Sequence, residues 1–247
     1  MKKLVIICML VGLTLLLSGC LVVSFEGGGS LRTVEGTGEK ITREFDTWHF
    51  TGIDISGEYV VMYSQSQTVT VTIHMQENLF EYLNVGVENG VLRIHSDRPF
   101  STGPRNTPRI YISAPVLEAV HLGGVMTIED WDLITTRQLG ITISGSANGV
   151  IPMDVATVEV NTAGAAELTL TGTAPTANIT VAGAGTIDAL GLLTADAAVV
   201  ITGAGRADVA VSDTLDVTIT GAGTVRYVGN PQVNRSVMGL GSVQRME

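Results

Sequence analysis

Val199-Val200-Ile201-Thr202-Gly203-Ala204-Gly205-Arg206-Ala207-Asp208-Val209 decides the fold, because Val217-Thr218-Ile219-Thr220-Gly221-Ala222-Gly223-Thr224-Val225-Arg226-Tyr227 repeats it eighteen residues later. In both copies apolar and polar residues alternate on either side of a glycine pair, the period-two pattern of half-buried strands. Working outward, the same phrase recurs as Ser144-Gly145-Ser146, Ala163-Gly164-Ala165, Ala182-Gly183-Ala184-Gly185 and Met238-Gly239-Leu240-Gly241. Leu122-Gly123-Gly124 reads as a weaker first copy. The leading glycines, taken from Gly123, are 22, 19, 19, 20, 18 and 18 residues apart.

The columns around the glycines specify the repeat. Ile143, Val181, Ile201 and Ile219 stand two residues before the glycine and read as an inward stack, which His121 heads. Thr142, Asn161, Thr180, Thr218 and Ser236 stand three before and read as an outward polar row. A unit of this length cannot bury its own apolar face, so it must stack on its neighbours as a solenoid. The expectation is an all-β parallel β-helix over residues 119–247 with about seven Gly-x-Gly rungs. Stacked at about 4.8 Å, these would make a rod on the order of 30 Å long. A hydrophobic content of 45% with only 5% aromatics fits a core of Val, Ile, Leu and Ala.

Residues 45–118 read as a less regular, strand-rich part that closes the first rung. Val85 to Ile94 carries Asn89-Gly90, a type I′ hairpin signal, and Ser96 to Pro108 reads as a loop. Trp48, Phe50, Tyr59 and Tyr63 gather the aromatics there, where a solenoid needs a cap over its open end.

The N-terminus reads as an address. Met1-Lys2-Lys3 precedes an apolar run, Leu4 to Leu17, and Leu17-Ser18-Gly19-Cys20 ends it. This is the layout of a secretory signal over residues 1–19, too short for a stable membrane span. Its end resembles the lipobox of bacterial lipoproteins, which implies cleavage before Cys20 and acylation of its thiol. Residues 20–44, with Gly27-Gly28-Gly29-Ser30, then form a flexible tether. Leu21 after the cysteine points to the outer membrane where a cell has one. Both cysteines, Cys8 and Cys20, fall in this segment, so the body can hold neither a disulfide nor a thiolate metal site.

Formal net charge is -10, which gives nucleic-acid binding no electrostatic support. The expected partners are the membrane, through the anchor, and a glycan or envelope protein; no cofactor or metal is expected. For chemistry, the column five after the glycine matters most: it stacks Asp188, Asp208 and Arg226 on successive rungs. Two acids and a cation about 5 Å apart make a weak polar-ladder candidate, for a small cation or for a salt-bridge ladder in which Arg226 neutralises Asp208. His74 and His95 could meet across paired strands, but two histidines alone are weak metal ligands.

Phe50-Thr51-Gly52-Ile53-Asp54-Ile55-Ser56-Gly57, Gly90-Val91-Leu92-Arg93-Ile94 and the closing Gly221-Ala222-Gly223-Thr224-Val225-Arg226-Tyr227-Val228-Gly229-Asn230-Pro231 resemble the head GIN domain family of auto-transporter adhesins. The resemblance covers about residues 45–246. It implies a right-handed β-helix on an exported, often lipid-anchored protein, and it brings no catalytic residues. The chain departs from the family in carrying Ala where members often have Ser or Asp within Gly-x-Gly-Asp. The function expected is a non-catalytic binding or scaffold module of the cell envelope. The alternative is a carbohydrate-active enzyme, a polysaccharide lyase or hydrolase, on the same fold.

Overall fold

The computed structural model describes residues 32–103 and 106–247. Of its residues, 73% are strand and 3% helix, and the strands coil into a β-solenoid of about six turns. The chain enters through β1 (Val34–Glu35), β2 (Lys40–Phe45), β3 (Gly52–Gln65) and β4 (Thr70–Gln76). A short 3-10 helix, Glu77–Tyr82, leads to β5 (Leu83–Glu88), β6 (Val91–Ser96), β7 (Phe100–Ser101) and β8 (Arg109–Ala114). The long coil follows as β9 (Ala119–Ile128), β10 (Ile134–Gly164), β11 (Glu167–Thr173), β12 (Thr176–Gly183), β13 (Thr186–Gly203) and β14 (Arg206–Gly221). β15 (Thr224–Val228), β16 (Gln232–Gly239) and β17 (Ser242–Arg245) complete it.

From β9 onward every pairing is parallel, and the glycines set the register. Gly183 faces Gly203, Gly203 faces Gly221 and Gly221 faces Gly239. At Gly183 the backbone has φ +122°, and a Cβ would lie 2.6 Å from the carbonyl oxygen of Gly164. Only glycine permits both that dihedral and that approach. One residue type at this column therefore makes every coil turn at the same place.

Alternation then builds the core. Ile143, Val181, Ile201 and Ile219 are buried, each on the register partner of a neighbouring turn. A fully buried side chain of this kind stabilises the fold by about 1.5–3 kcal/mol. Such burial, repeated at every turn, holds together a rod with few aromatics. The large rings sit at its start, where Phe50, Tyr59 and Tyr63 are buried. Tyr63 packs against Trp131 at 5.8 Å and donates its hydroxyl proton to the Ala114 carbonyl. Trp48 departs from the expected cap: it is 84% exposed.

The first turn corrects the register read from the sequence. Gly124, not Gly123, faces Gly145, and it also faces Gly57 of β3. The bend needs the glycine with positive φ, and that is Gly124, at φ +98°. The shift of one residue moves His121 from the inward stack to the outward row, where it is exposed and pairs with Thr142 and Asp54. A one-residue slip reverses every side chain of a strand, and the buried neighbours are then Val120 and Leu122.

β3 runs parallel to β9 over ten residue pairs, so the coil already includes residues read as its irregular closure. Beyond β3 the pairing changes: β4 lies antiparallel to β8 and β2, and β5 antiparallel to β6. The β5–β6 hairpin turns through Asn89 and Gly90, both with positive φ, as their sequence predicts. Among the described residues, Val34–Glu35 and most of Lys40–Phe45 are strand within the span, 20–44, expected to be tether. Phe100–Ser101, within the expected loop, pairs with Val34–Glu35.

Candidate functional site

The ladder candidates come together. Asp188 faces Asp208, and Asp208 faces Arg226, on three successive turns. Asp208 is buried, and Arg226 donates to both its oxygens, Nε to Oδ1 at 2.8 Å and NH2 to Oδ2 at 2.6 Å. Arg206, which sequence reasoning missed, closes on the same carboxylate, with its NH2 2.7 Å from Oδ2. It stands two residues before Asp208 on the same strand, and the period of two was the available signal. Both carboxylate oxygens are thus committed to two guanidinium groups. Such a carboxylate is poorly placed to bind a further cation. Asp188 accepts a hydrogen bond from the backbone N–H of Leu190 at 3.1 Å.

The histidines do not meet. His74 lies in β4 facing Thr42 and Arg109, with 3.0 Å between its Nδ1 and the Thr42 hydroxyl. His95 lies in β6 facing Asn84 of β5. β4 and β6 are not paired with each other, so the expectation that the two might face across strands fails. Among the described residues no three His, Cys, Asp or Glu side chains gather as metal ligands. Cys20 and the apolar run before it lie outside the described residues.

The outward face of β10, β12, β13, β14 and β16 carries a different arrangement. The row Asn161, Thr180, Val200, Thr218 and Ser236 runs across it in register. Beside it runs a second row, five residues before each bend glycine: Glu159, Asn178, Ala198, Asp216 and Asn234. Four of its members are polar and one is a methyl group. Ala198 therefore leaves a notch of about 260 Å³, lined by Thr176, Asn178, Asp196, Thr214 and Asp216. Asn234 donates to the Asp216 carboxylate at 2.8 Å and steadies one wall. This row was not among the columns read from the sequence.

Amides, hydroxyls and carboxylates thus ring a small depression on the outward face. They do not supply the converging acid and base that bond cleavage requires. The described residues define a β-solenoid with a polar outward face. Residues 49–231 match the family described as "Putative auto-transporter adhesin, head GIN domain", and the chain belongs to that family.

Solved structures share the fold. A "putative adhesin" from Bacteroides fragilis is 23% identical with a TM-score of 0.78, covering 86% of this chain and 100% of its own. A "putative lipid binding protein" from Parabacteroides distasonis is 22% identical with a TM-score of 0.70, covering 87% and 100%. A "putative adhesin" from the same organism is 23% identical with a TM-score of 0.68, at the same coverages. No curated protein matches the chain.

Proposed function

We propose that this chain is a lipid-anchored cell-envelope protein that binds glycans, without catalysis, through the outward face of its solenoid. The observation that carries the reading is the notch at Ala198, set in two rows of amide, hydroxyl and carboxylate groups. Its volume lies just below the roughly 300–1,000 Å³ of drug-sized pockets, which suits one ring of a longer polymer. Repeating rows offer neighbouring contacts along the same polymer, so weak sites can add. The adhesin descriptions of the family and of two structural neighbours agree with a binding role. The buried, doubly paired Asp208 weighs against the enzyme alternative.

Binding to a panel of envelope and host polysaccharides tests the proposal. Asn178→Ala and Asp216→Ala alter exposed side chains and should leave stability within about 0.5 kcal/mol. Both should weaken a saturable glycan signal about tenfold. Turnover of any polysaccharide, or binding indifferent to both changes, would refute it. Anchorage is tested separately: Cys20→Ser should leave the protein unacylated, and the wild type should fractionate with membranes, the outer membrane in a two-membrane cell. Wild-type protein recovered wholly in the soluble fraction would contradict that part.

A further inference from the structure

The corner of the solenoid just before the glycan face carries an apolar groove of about 630 Å³, lined among others by Pro175, Leu193, Ala210, Val211, Val228 and Asn230. No charged side chain lines it, in a chain whose net charge is -10. It crosses four layers. Ala195 donates its N–H to the Pro175 carbonyl at 3.0 Å, Thr194 faces Val211, and Ala210 faces Val228. At about 4.8 Å per layer the groove is about 14 Å long, close to half of the roughly 30 Å hydrocarbon core of a bilayer. That is the reach of one acyl chain.

A break in the repeat supplies one wall. Between Ala189, which faces Val209, and Leu193, which faces Ala210, three residues have no partner on β14. The bulge keeps Leu192 buried and pushes Leu190 and Leu193 outward, Leu193 to 67% exposure. Leu193 is not a lone exposed leucine: with Pro175, Ala210, Val211 and Val228 it makes one contiguous apolar surface, the kind that marks an interaction site. A peptide strand would need backbone partners that this corner spends on its own turns, and a sugar would need more polar groups than Thr194, Ser212 and Asn230.

We propose that this groove holds the hydrocarbon chain of a monomeric single-chain lipid with a neutral head. The head is neutral because the groove has no cation to receive a carboxylate. The inference goes beyond the glycan-binding reading and uses none of its residues.

Monolaurin, titrated calorimetrically below its micelle-forming concentration into the full chain carrying Cys20→Ser, tests it. The expected result is saturation near one lipid per chain. Ala210→Glu, which places a carboxylate in the groove, should weaken binding by about tenfold or more. Leu193→Ser should weaken it several-fold, and because Leu193 is mostly exposed this variant should fold normally. Laurate should bind about tenfold less tightly than monolaurin. Asp216→Ala should leave monolaurin binding unchanged, so failure of the glycan reading and failure of this one are separable. Absence of saturable binding, equal binding by a folded Ala210→Glu chain, or binding only to neutral phosphatidylcholine vesicles would each overturn the proposal.

Discussion

Replacing Asp208 by alanine leaves Arg206 and Arg226 facing one another across adjacent turns with no carboxylate between them. Asp208 has 5% of its side chain exposed and accepts five hydrogen bonds from the two guanidinium groups. Removing one partner from a buried ion pair typically costs about 3–5 kcal/mol, mostly because charge is left uncompensated. Here the arginine side chains are 42% and 33% exposed, so water recovers part of that loss. The expected cost is about 2–3 kcal/mol. Urea unfolding followed by circular dichroism should show the midpoint fall with an unchanged slope. The Arg226→Ala change alone should cost less, because Arg206 still neutralises the carboxylate, and the double variant should recover part of the Asp208→Ala loss. A cost below about 0.5 kcal/mol, typical of surface changes, would refute the claim that this cluster is a structural clamp. So would loss of a catalytic activity at unchanged stability.

Ile201→Asp, at a site with no exposed area, removes an aliphatic contact and buries a carboxylate. It should cost about 4 kcal/mol or more, seen as loss of the cooperative thermal transition. Gly183→Ala, with φ +122° and a Cβ crowding the Gly164 carbonyl, should cost about 1–3 kcal/mol. Gly140→Ala, whose Cβ would meet the Glu118 carbonyl oxygen at an unstrained 3.8 Å, should be close to neutral in the same melts. Burial, and then the charge of Asp132, push the Tyr63 phenol up to about 12, and burial raises Tyr59 as well. The folded-state value of Tyr63 exceeds the unfolded one of about 10, so its contribution is complete below pH 10 and is lost as pH rises through 12; that of Tyr59 is lost in the same direction at higher pH. Stability measured from pH 9 to 12 should fall over that window, and Tyr63→Phe should flatten the fall.

The coil was legible because its determinants are local and repeated. A glycine that must turn with positive φ, flanked by β-branched residues two and four before it, states its register at every turn. Legibility failed where the repeat offers two choices. Leu122-Gly123-Gly124 presents two adjacent glycines, and only the facing carbonyl of Gly57 decides between them. β3 escaped as a turn of the coil because its partner β9 lies more than fifty residues downstream, past the insertion that holds β4 to β8. Asp188, Asp208 and Arg226 share one register column, and a column is a sequence property. That Arg206 completes the cluster required knowing how far a guanidinium reaches along its own strand. The Ala198 notch is an absence of side chain, conspicuous only once its neighbours on both sides are known.

A strict solenoid places equivalent side chains one above another, about 4.8 Å apart, pointing the same way. That geometry repeats one contact many times, and different groups meet only where a long side chain reaches off its own column, as Arg206 does to join Arg226 at Asp208. Distinct sites arise where the repeat is broken. One break is the missing side chain at Ala198, which opens a polar notch in an otherwise filled row. The other is the three-residue bulge after Ala189, which lifts Leu193 beside an apolar corner. Both breaks fall on the twenty-residue turn that ends at Gly203, the longest spacing after Gly145. The remaining turns repeat closely enough to hold that one rigid at both faces. Under the binding roles proposed above, a scaffold this regular lowers the entropy lost on binding, which lets a small irregularity be selective.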